Sequence, residues 1–327
     1  MKEARFYEKL QNNRVQCHLC PHECVIVDGK RGICNARENH DGILYSLIYE
    51  QVSSEGVDPI EKKPLYHFYP GSMAYSVGTV GCNLACSFCQ NFEISQGSAP
   101  TYRMTPQEII ESCINSGCKS IAYTYNEPLI WHEFVFDTAT EARKRGISNV
   151  LVTNGYINEE PLKALLPVID ALNVDLKSFT DHFYRKLCNG TLSPVLRTIE
   201  IAKSSAWVEI TTLLIPGQND SPEEITRLVN WVASLGEETP LHFSRYFPRH
   251  TLQAPVTPLE ILEKALSIAR ERLRYVYIGN VPSHSGDNTY CYNCQQPVIT
   301  RRGFSASPVG LTDTTCSRCG AHIDVIW

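Results

Sequence analysis

Between residues 72 and 279 the sequence alternates short β-branched runs with helical segments, and this alternation restricts the fold more than any other feature. SMAYSVGTV (72–80), KSIAYTY (119–125), NVLVTN (149–154), DALNVDLK (170–177), WVEITTLLIPG (207–217), PLHFSRYF (240–247) and RYVYIG (274–279) read as strands. Helices are expected between successive runs, over 105–117, 128–144, 159–169, the stretch before 207, 221–236 and 257–273. T-P-Q-E (105–108), S-P-E-E (221–224) and T-P-L-E (257–260) each offer a hydroxyl N-cap, a proline and a glutamate, the capping-box pattern. Repeated strand–helix units demand a parallel sheet with right-handed crossovers. Six or seven of them suit a partial TIM-type (β/α)6 barrel, with functional groups on loops at the carboxyl ends of the strands.

Cysteine is the compositional outlier, with fourteen in the chain. Apolar content of 43% and 20% charged residues describe an ordinary globular protein. MKEARFYEKLQNN has no apolar h-region, and no long apolar run follows, so neither a signal peptide nor a membrane is expected. The expected location is the cytoplasm, where thiols stay reduced, and clustering then argues for metal ligation rather than disulfides. A formal net charge of −5 gives no global attraction to nucleic acid. Eleven cysteines fall into three groups, while Cys113, Cys118 and Cys188 read as ordinary partly buried side chains.

The central group lies in V-G-C-N-L-A-C-S-F-C-Q-N, where Cys82, Cys86 and Cys89 follow the first of these strands at C-x3-C-x2-C. Three thiolates on one loop hold three irons of a cubane and leave the fourth open to a ligand. Gly81 lets the backbone approach the cluster, and Phe88 is placed to cover it or stack on a ligand ring.

Cys17, Cys20, Cys24 and Cys34, with His18 and His22 interleaved, close a zinc site or hold a complete auxiliary cluster. Cys291, Cys294, Cys316 and Cys319 form two C-x2-C knuckles, favouring a structural zinc ribbon over another cluster or unmetallated thiols. Only Arg301, Arg302 and Arg318 lie near them, too few to argue for nucleic acid. His67, His242 and His250 read as hydrogen-bonded, partly buried histidines. Lys62 and Lys63 read either as a solvated pair or as partners for a carboxylate.

The cysteine loop and the strand-end motifs after it resemble the radical S-adenosylmethionine (SAM) superfamily. The resemblance implies a 4Fe–4S cluster whose open iron binds SAM, reductive cleavage to a 5′-deoxyadenosyl radical, and hydrogen abstraction from a substrate. Y-T-Y-N-E-P (123–128) stands where that family has G-G-E, placing Asn126 and Glu127 at the SAM amino group. T-N-G (Thr153, Asn154) and D-L-K (Asp175, Lys177) are similar to segments of glycyl-radical-enzyme activases, with Val152 where those carry an aspartate. Pro216 and Gly217, in L-I-P-G-Q-N-D, stand where such enzymes set backbone against adenine.

Residues 16–37, I-E-K-K-P-L-Y-H-F-Y-P-G (60–71) and Y-T-Y-N-E-P further resemble the radical SAM member of the AmmeMemoRadiSam system, related to pyruvate formate-lyase activating enzyme. That likeness implies AMMECR-type and Memo-type partners and a reductant such as ferredoxin or flavodoxin, but names no substrate. The expected organisation is a Cys-rich lobe (1–72), a barrel (73–285) and a four-cysteine, ribbon-like module (286–327), separated near 285 by the turn-rich V-P-S-H-S-G-D-N. Glycyl-radical activation of a partner protein is the alternative reaction. A non-catalytic, cysteine-rich metal or nucleic-acid binder is the alternative class.

Overall fold

The computed structural model describes residues 1–282 and 284–327; Ser283, in the expected linker, lies outside them. Eight strands form the main sheet: β1 (Ser54–Pro59), β2 (Met73–Gly78), β3 (Ser120–Tyr123), β4 (Ser148–Thr153), β5 (Ala171–Asp175), β6 (Trp207–Leu214), β7 (Leu241–Arg245) and β8 (Val276–Gly279). They are hydrogen-bonded in chain order. β2 to β8 are parallel throughout, and β1 adds antiparallel to the free edge of β2. β1 and β8 do not pair with each other among the described residues, so the sheet is open.

Six helices fill the crossovers: α1 (Pro106–Asn115), α2 (His132–Lys144), α3 (Glu159–Leu165), α4 (Leu192–Lys203), α5 (Pro222–Leu235) and α6 (Leu259–Arg270). The chain is therefore six strand–helix units and a seventh parallel strand, preceded by an edge strand that the alternation did not announce. Central strands such as β3 are buried along their whole length, as parallel strands between layers must be.

The three proline-marked helix starts diverge in detail. Thr105 makes the complete reciprocal box with Glu108. Ser221 caps α5, but the Glu224 carboxylate turns away to accept from Ser178 Oγ and the Phe179 amide. The expected third cap does not form. Thr257 Oγ1 instead accepts from the Tyr246 amide and donates to Leu214 O, so the hydroxyl joins strand ends and α6 begins at Leu259.

Before the main sheet, two small antiparallel sheets carry the first cysteines. The apolar core is continuous from Ala4 through the sheet to Ile278. After the sheet, Thr289–Tyr290, Pro297–Arg302 and Ser305–Pro308 form a three-stranded antiparallel sheet, followed by the hairpin Leu311–Thr312/Thr315–Cys316. Arg301 docks this part beneath the amino ends of the strands. Its guanidinium donates to Tyr66 O at 2.7 Å, lies 4.1 Å from the Tyr66 ring centroid and faces the buried Glu61. It is a buried anchor, not a basic surface residue.

His67 completes the same docking, bonded to Asp324 O and the Tyr277 hydroxyl, while His242 pairs with the buried Glu209 at 2.7 Å. His250 stacks on Phe92. Burial pushes His67, and likewise His132, down from 6.5 to about 4. Below pH 6.5 the unfolded chain takes up these protons while the folded chain does not, so stability falls as pH drops from 6.5 towards 4. Melting temperatures measured across that window are expected to decline less steeply for His67→Gln than for the parent protein.

Candidate active site and metal centres

Immediately after β2 the chain turns through Gly81 at φ +92°, and a Cβ there would stand 2.6 Å from Cys34 O. No other residue fits that approach. The Asn126 side chain clamps the same turn, accepting from the Thr79 amide at 3.0 Å and donating to Gly81 O at 2.9 Å. The loop then pairs with residues 187–188, the Ala85 and Ser87 amides donating to Cys188 O and Leu187 O. Ser87 O accepts from the Thr251 and Leu252 amides. Phe88 is buried with its ring 5.6 Å from that of Phe183.

Each thiol of the loop meets a donor. Cys82 Sγ receives the Leu84 amide at 3.4 Å and Asn154 Nδ2 at 3.6 Å, and Cys89 Sγ lies 3.1 Å from Ser95 Oγ. Cys86 is engaged by the thiol of Cys188, which reads from the sequence as unremarkable and in the structure belongs to the site. Burial drives Cys188 far above the ordinary thiol range, so it stays protonated and donates; the bond it gives lowers Cys86. Nothing in its spacing signals this role.

The other strand ends converge on the loop. Glu127 is buried and fully engaged: Oε1 accepts from Thr153 Oγ1 at 2.5 Å and the Leu129 amide at 3.0 Å, and Oε2 accepts from the Asn154 amide at 2.8 Å. Burial pushes it up to about 7 against the pull of those bonds. Asn154 also donates to Asn83 Oδ1 at 2.9 Å, which links the T-N-G turn to the residue after Cys82. Lys177 lies within Coulomb range of all three thiols and pairs with Asp175 at 3.0 Å.

Asn219, inside L-I-P-G-Q-N-D, donates to Lys177 O at 2.7 Å and accepts from the Ile215 amide at 2.7 Å, tying the β6 loop to the D-L-K segment. Pro216 and Gly217 ride on that loop; Gly217 turns at φ +71° and its amide donates to Asp220.

Tyr125 occupies the second tyrosine of Y-T-Y-N-E-P at φ +72°, the left-handed conformation that a glycine takes without cost. Its hydroxyl donates to Asp58 at 2.7 Å, its carbonyl accepts from Asn91, and Lys63 sits 4.7 Å from its ring centroid. Lys62 and Lys63 are thus committed to Asp58, each at 2.7 Å, with Lys63 buried. Lys62 stays exposed to water, while Lys63 is buried against Asp58.

Residues 76–229 match the radical SAM superfamily. Over 167 residues the chain is 26% identical to pyruvate formate-lyase 1-activating enzyme of Escherichia coli, covering 48% of this chain and 67% of the enzyme. The chain belongs to the radical SAM superfamily. It is related to pyruvate formate-lyase activating enzyme, and its full length is 49% identical to an uncharacterized protein of Methanocaldococcus jannaschii, which it also covers completely. A radical SAM methyltransferase from Sphaerobacter thermophilus shares the fold at a TM-score of 0.52 and 17% identity, over 64% of this chain and 67% of that one.

Radical SAM membership implies a 4Fe–4S cluster and SAM, and the donor set fits: three thiols on one loop, each supplied with a donor, beside the partly buried Lys177 ammonium. The C-terminal cysteines form a second group that could hold a metal ion, outside the radical SAM region. Cys291 and Cys319 Sγ are 3.6 Å apart, Cys294 and Cys316 3.7 Å, and all four lie within 4.8 Å of one another. Gln295 and Gly320, each directly after a knuckle, take φ +59° and +74°, and their amides donate to Cys291 O and Cys316 O, closing the two tight turns. Amide donors at Cys319 lower it to about 6, so it is ready to ligate as thiolate. No helix among the described residues is long and apolar enough to cross a membrane.

Proposed function

We propose that this chain is a SAM-cleaving enzyme whose open sheet curves as a partial TIM-type barrel around a cluster on Cys82, Cys86 and Cys89. The observation that carries it is the single hydrogen-bonded unit joining the cysteine loop to the next two strand ends through Asn126, Glu127 and Asn154. When bound, the reduced cluster supplies the electron that splits SAM into methionine and the 5′-deoxyadenosyl radical that abstracts hydrogen from substrate.

The chain's own residues do the rest. Asn126 fixes the entry of the loop. Glu127 orients Thr153 and Asn154 and offers negative charge to the SAM ammonium. Lys177, held by Asp175, counters the charge of the thiolates and is the cation available to a SAM carboxylate. The backbone at Pro216 and Gly217 would hold the adenine. The buried Cys86 and Phe88 of the loop, to which residues 251–252 are bonded at Ser87 O, help to keep water from the radical. The work takes place in the cytoplasm with a low-potential reductant of the ferredoxin or flavodoxin type, and AMMECR-type and Memo-type proteins are candidate partners. Relation to pyruvate formate-lyase activating enzyme supports a second reading, activation of a glycyl-radical protein, which a partner gaining a glycyl radical EPR signal would establish.

The decisive assay is 5′-deoxyadenosine formation from SAM by anaerobically reconstituted, dithionite-reduced protein. A protein that carries a SAM-responsive cluster yet releases no 5′-deoxyadenosine, with or without candidate partners, would end this reading.

The C-terminal centre takes zinc. Thiolates set tetrahedrally about 2.3 Å from one ion stand ~3.8 Å apart, close to the sulfur separations found. Cys294→Ser with Cys316→Ser is expected to remove one zinc per chain and to abolish hydrogen-exchange protection over 289–327, because folding of so small a module depends on its metal. Unchanged protection would overturn the structural role.

A further inference from the structure

The C-terminal cysteine group differs in one measurable respect from the other two, and the difference separates a single ion from a cluster. In the ribbon all four sulfurs lie within 4.8 Å of one another, as ligation to one zinc requires. Among the described residues, no three of Cys17, Cys20, Cys24 and Cys34 do so. Yet these four line one cavity, walled by Leu19 and Ile130, and their charges act on one another. Cys82, Cys86 and Cys89 share the wider setting. A cubane gives each thiolate its own iron and therefore spreads the sulfurs beyond what one ion allows.

The walls suit an anionic cluster. The His22, Ile33 and Ala36 amides point at Cys20, Cys24 and Cys34, and Arg37 Nη1 lies 3.8 Å from Cys17 Sγ. Arg37 is buried, lines the same cavity and keeps its Nε–H without a partner. An orphaned buried donor is costly, and a sulfide of a cluster would satisfy it.

The cavity also abuts the radical SAM loop. Cys34 O is the atom that forbids a side chain at Gly81, directly before Cys82. His22, between Cys20 and Cys24, bonds Asn83 O at 2.7 Å, directly after Cys82. From these observations we propose that Cys17, Cys20, Cys24 and Cys34 hold a second iron–sulfur cluster, placed to pass electrons to the cluster on Cys82, Cys86 and Cys89. The relay rests on the function proposed above; the binding of iron at the N-terminal site does not. In the relay step a one-electron donor protein is oxidised by one electron, the N-terminal cluster is reduced by one, and it is reoxidised as the barrel cluster is reduced, with no proton or bond exchanged.

The first test is the metal content of the full-length protein purified without oxygen from iron-supplied cells. About eight irons per chain are expected, for two cubanes, with one zinc. About four irons with two zincs would overturn the proposal. The second test removes dependence on the barrel cluster: Cys82→Ala, Cys86→Ala and Cys89→Ala combined. That variant is expected to keep iron and acid-labile sulfide in equal amounts and, once reduced, an EPR signal that SAM leaves unaltered. A variant holding zinc alone, or no metal, at folded far-UV circular dichroism would refute the site. In the parent protein, spin–spin broadening between the two reduced clusters is expected; its absence, with both present, would refute the relay.

Discussion

Cys86→Ala is expected to eliminate 5′-deoxyadenosine formation while leaving the protein folded. Cys86 is the thiol on which the surrounding groups converge: Cys188 donates to it and Lys177 lies within Coulomb range, and both favour its thiolate. Loss of an outer-shell partner typically costs about 10–100-fold in metal affinity or activity, and loss of a ligand on a three-thiolate cluster should exceed that. Cys188→Ala supplies the contrast. It removes a donor to sulfur and no ligand, so the cluster should assemble with a shifted reduction potential. Equal loss of iron in both variants would mean that Cys188 is itself a ligand and that no iron is left open.

The largest stability effect is expected at Glu133→Gln. Arg37 Nη2 meets Glu133 Oε1 at 2.5 Å with both side chains almost wholly buried, and the Arg5 amide donates to the same oxygen. The pair pins the N-terminal sheets to the first turn of α2. Breaking a buried pair at one partner leaves an uncompensated charge and costs about 3–5 kcal/mol, measurable as a shift in urea midpoint at unchanged slope. The double replacement Arg37→Met with Glu133→Leu should recover most of that loss, because two apolar side chains need no mutual charge. It should also leave the N-terminal thiols without their cation.

The parallel strands were legible because each is a continuous β-branched run bounded by turns, and all seven lie within a few residues of their expected limits. Edge strand β1 was not legible. S-E-G-V-D-P carries two acidic residues, a glycine and a proline, a composition that an edge tolerates and that propensity reads as loop. The strand-end motifs led to the residues that converge, but not to how they do so. Asn126 clamps backbone and Tyr125 supplies a glycine's conformation, and both facts depend on partners far away in the chain. Cys188 shows the same gap: its meeting with Cys86 arises from pairing between segments distant in the chain, which no local pattern encodes. The burial of Arg301 beside Glu61 and of Lys63 beside Asp58 is a tertiary fact that no local pattern carries.

The anchoring of Arg301 and His67 has a practical corollary. The C-terminal ribbon covers the floor of the sheet, where Tyr66, Tyr275 and Tyr277 are buried in one cluster with Cys291, Val298 and Ile323. A fragment ending near 285 would bare that aromatic floor to water and strand the Glu61 carboxylate, inviting self-association. The stretch matched by the superfamily is thus expected to need the ribbon for its own solubility. Whatever docks on the ribbon does so on the far side of the molecule from the cysteine loop, so it can tether or recruit without standing in the path of the substrate.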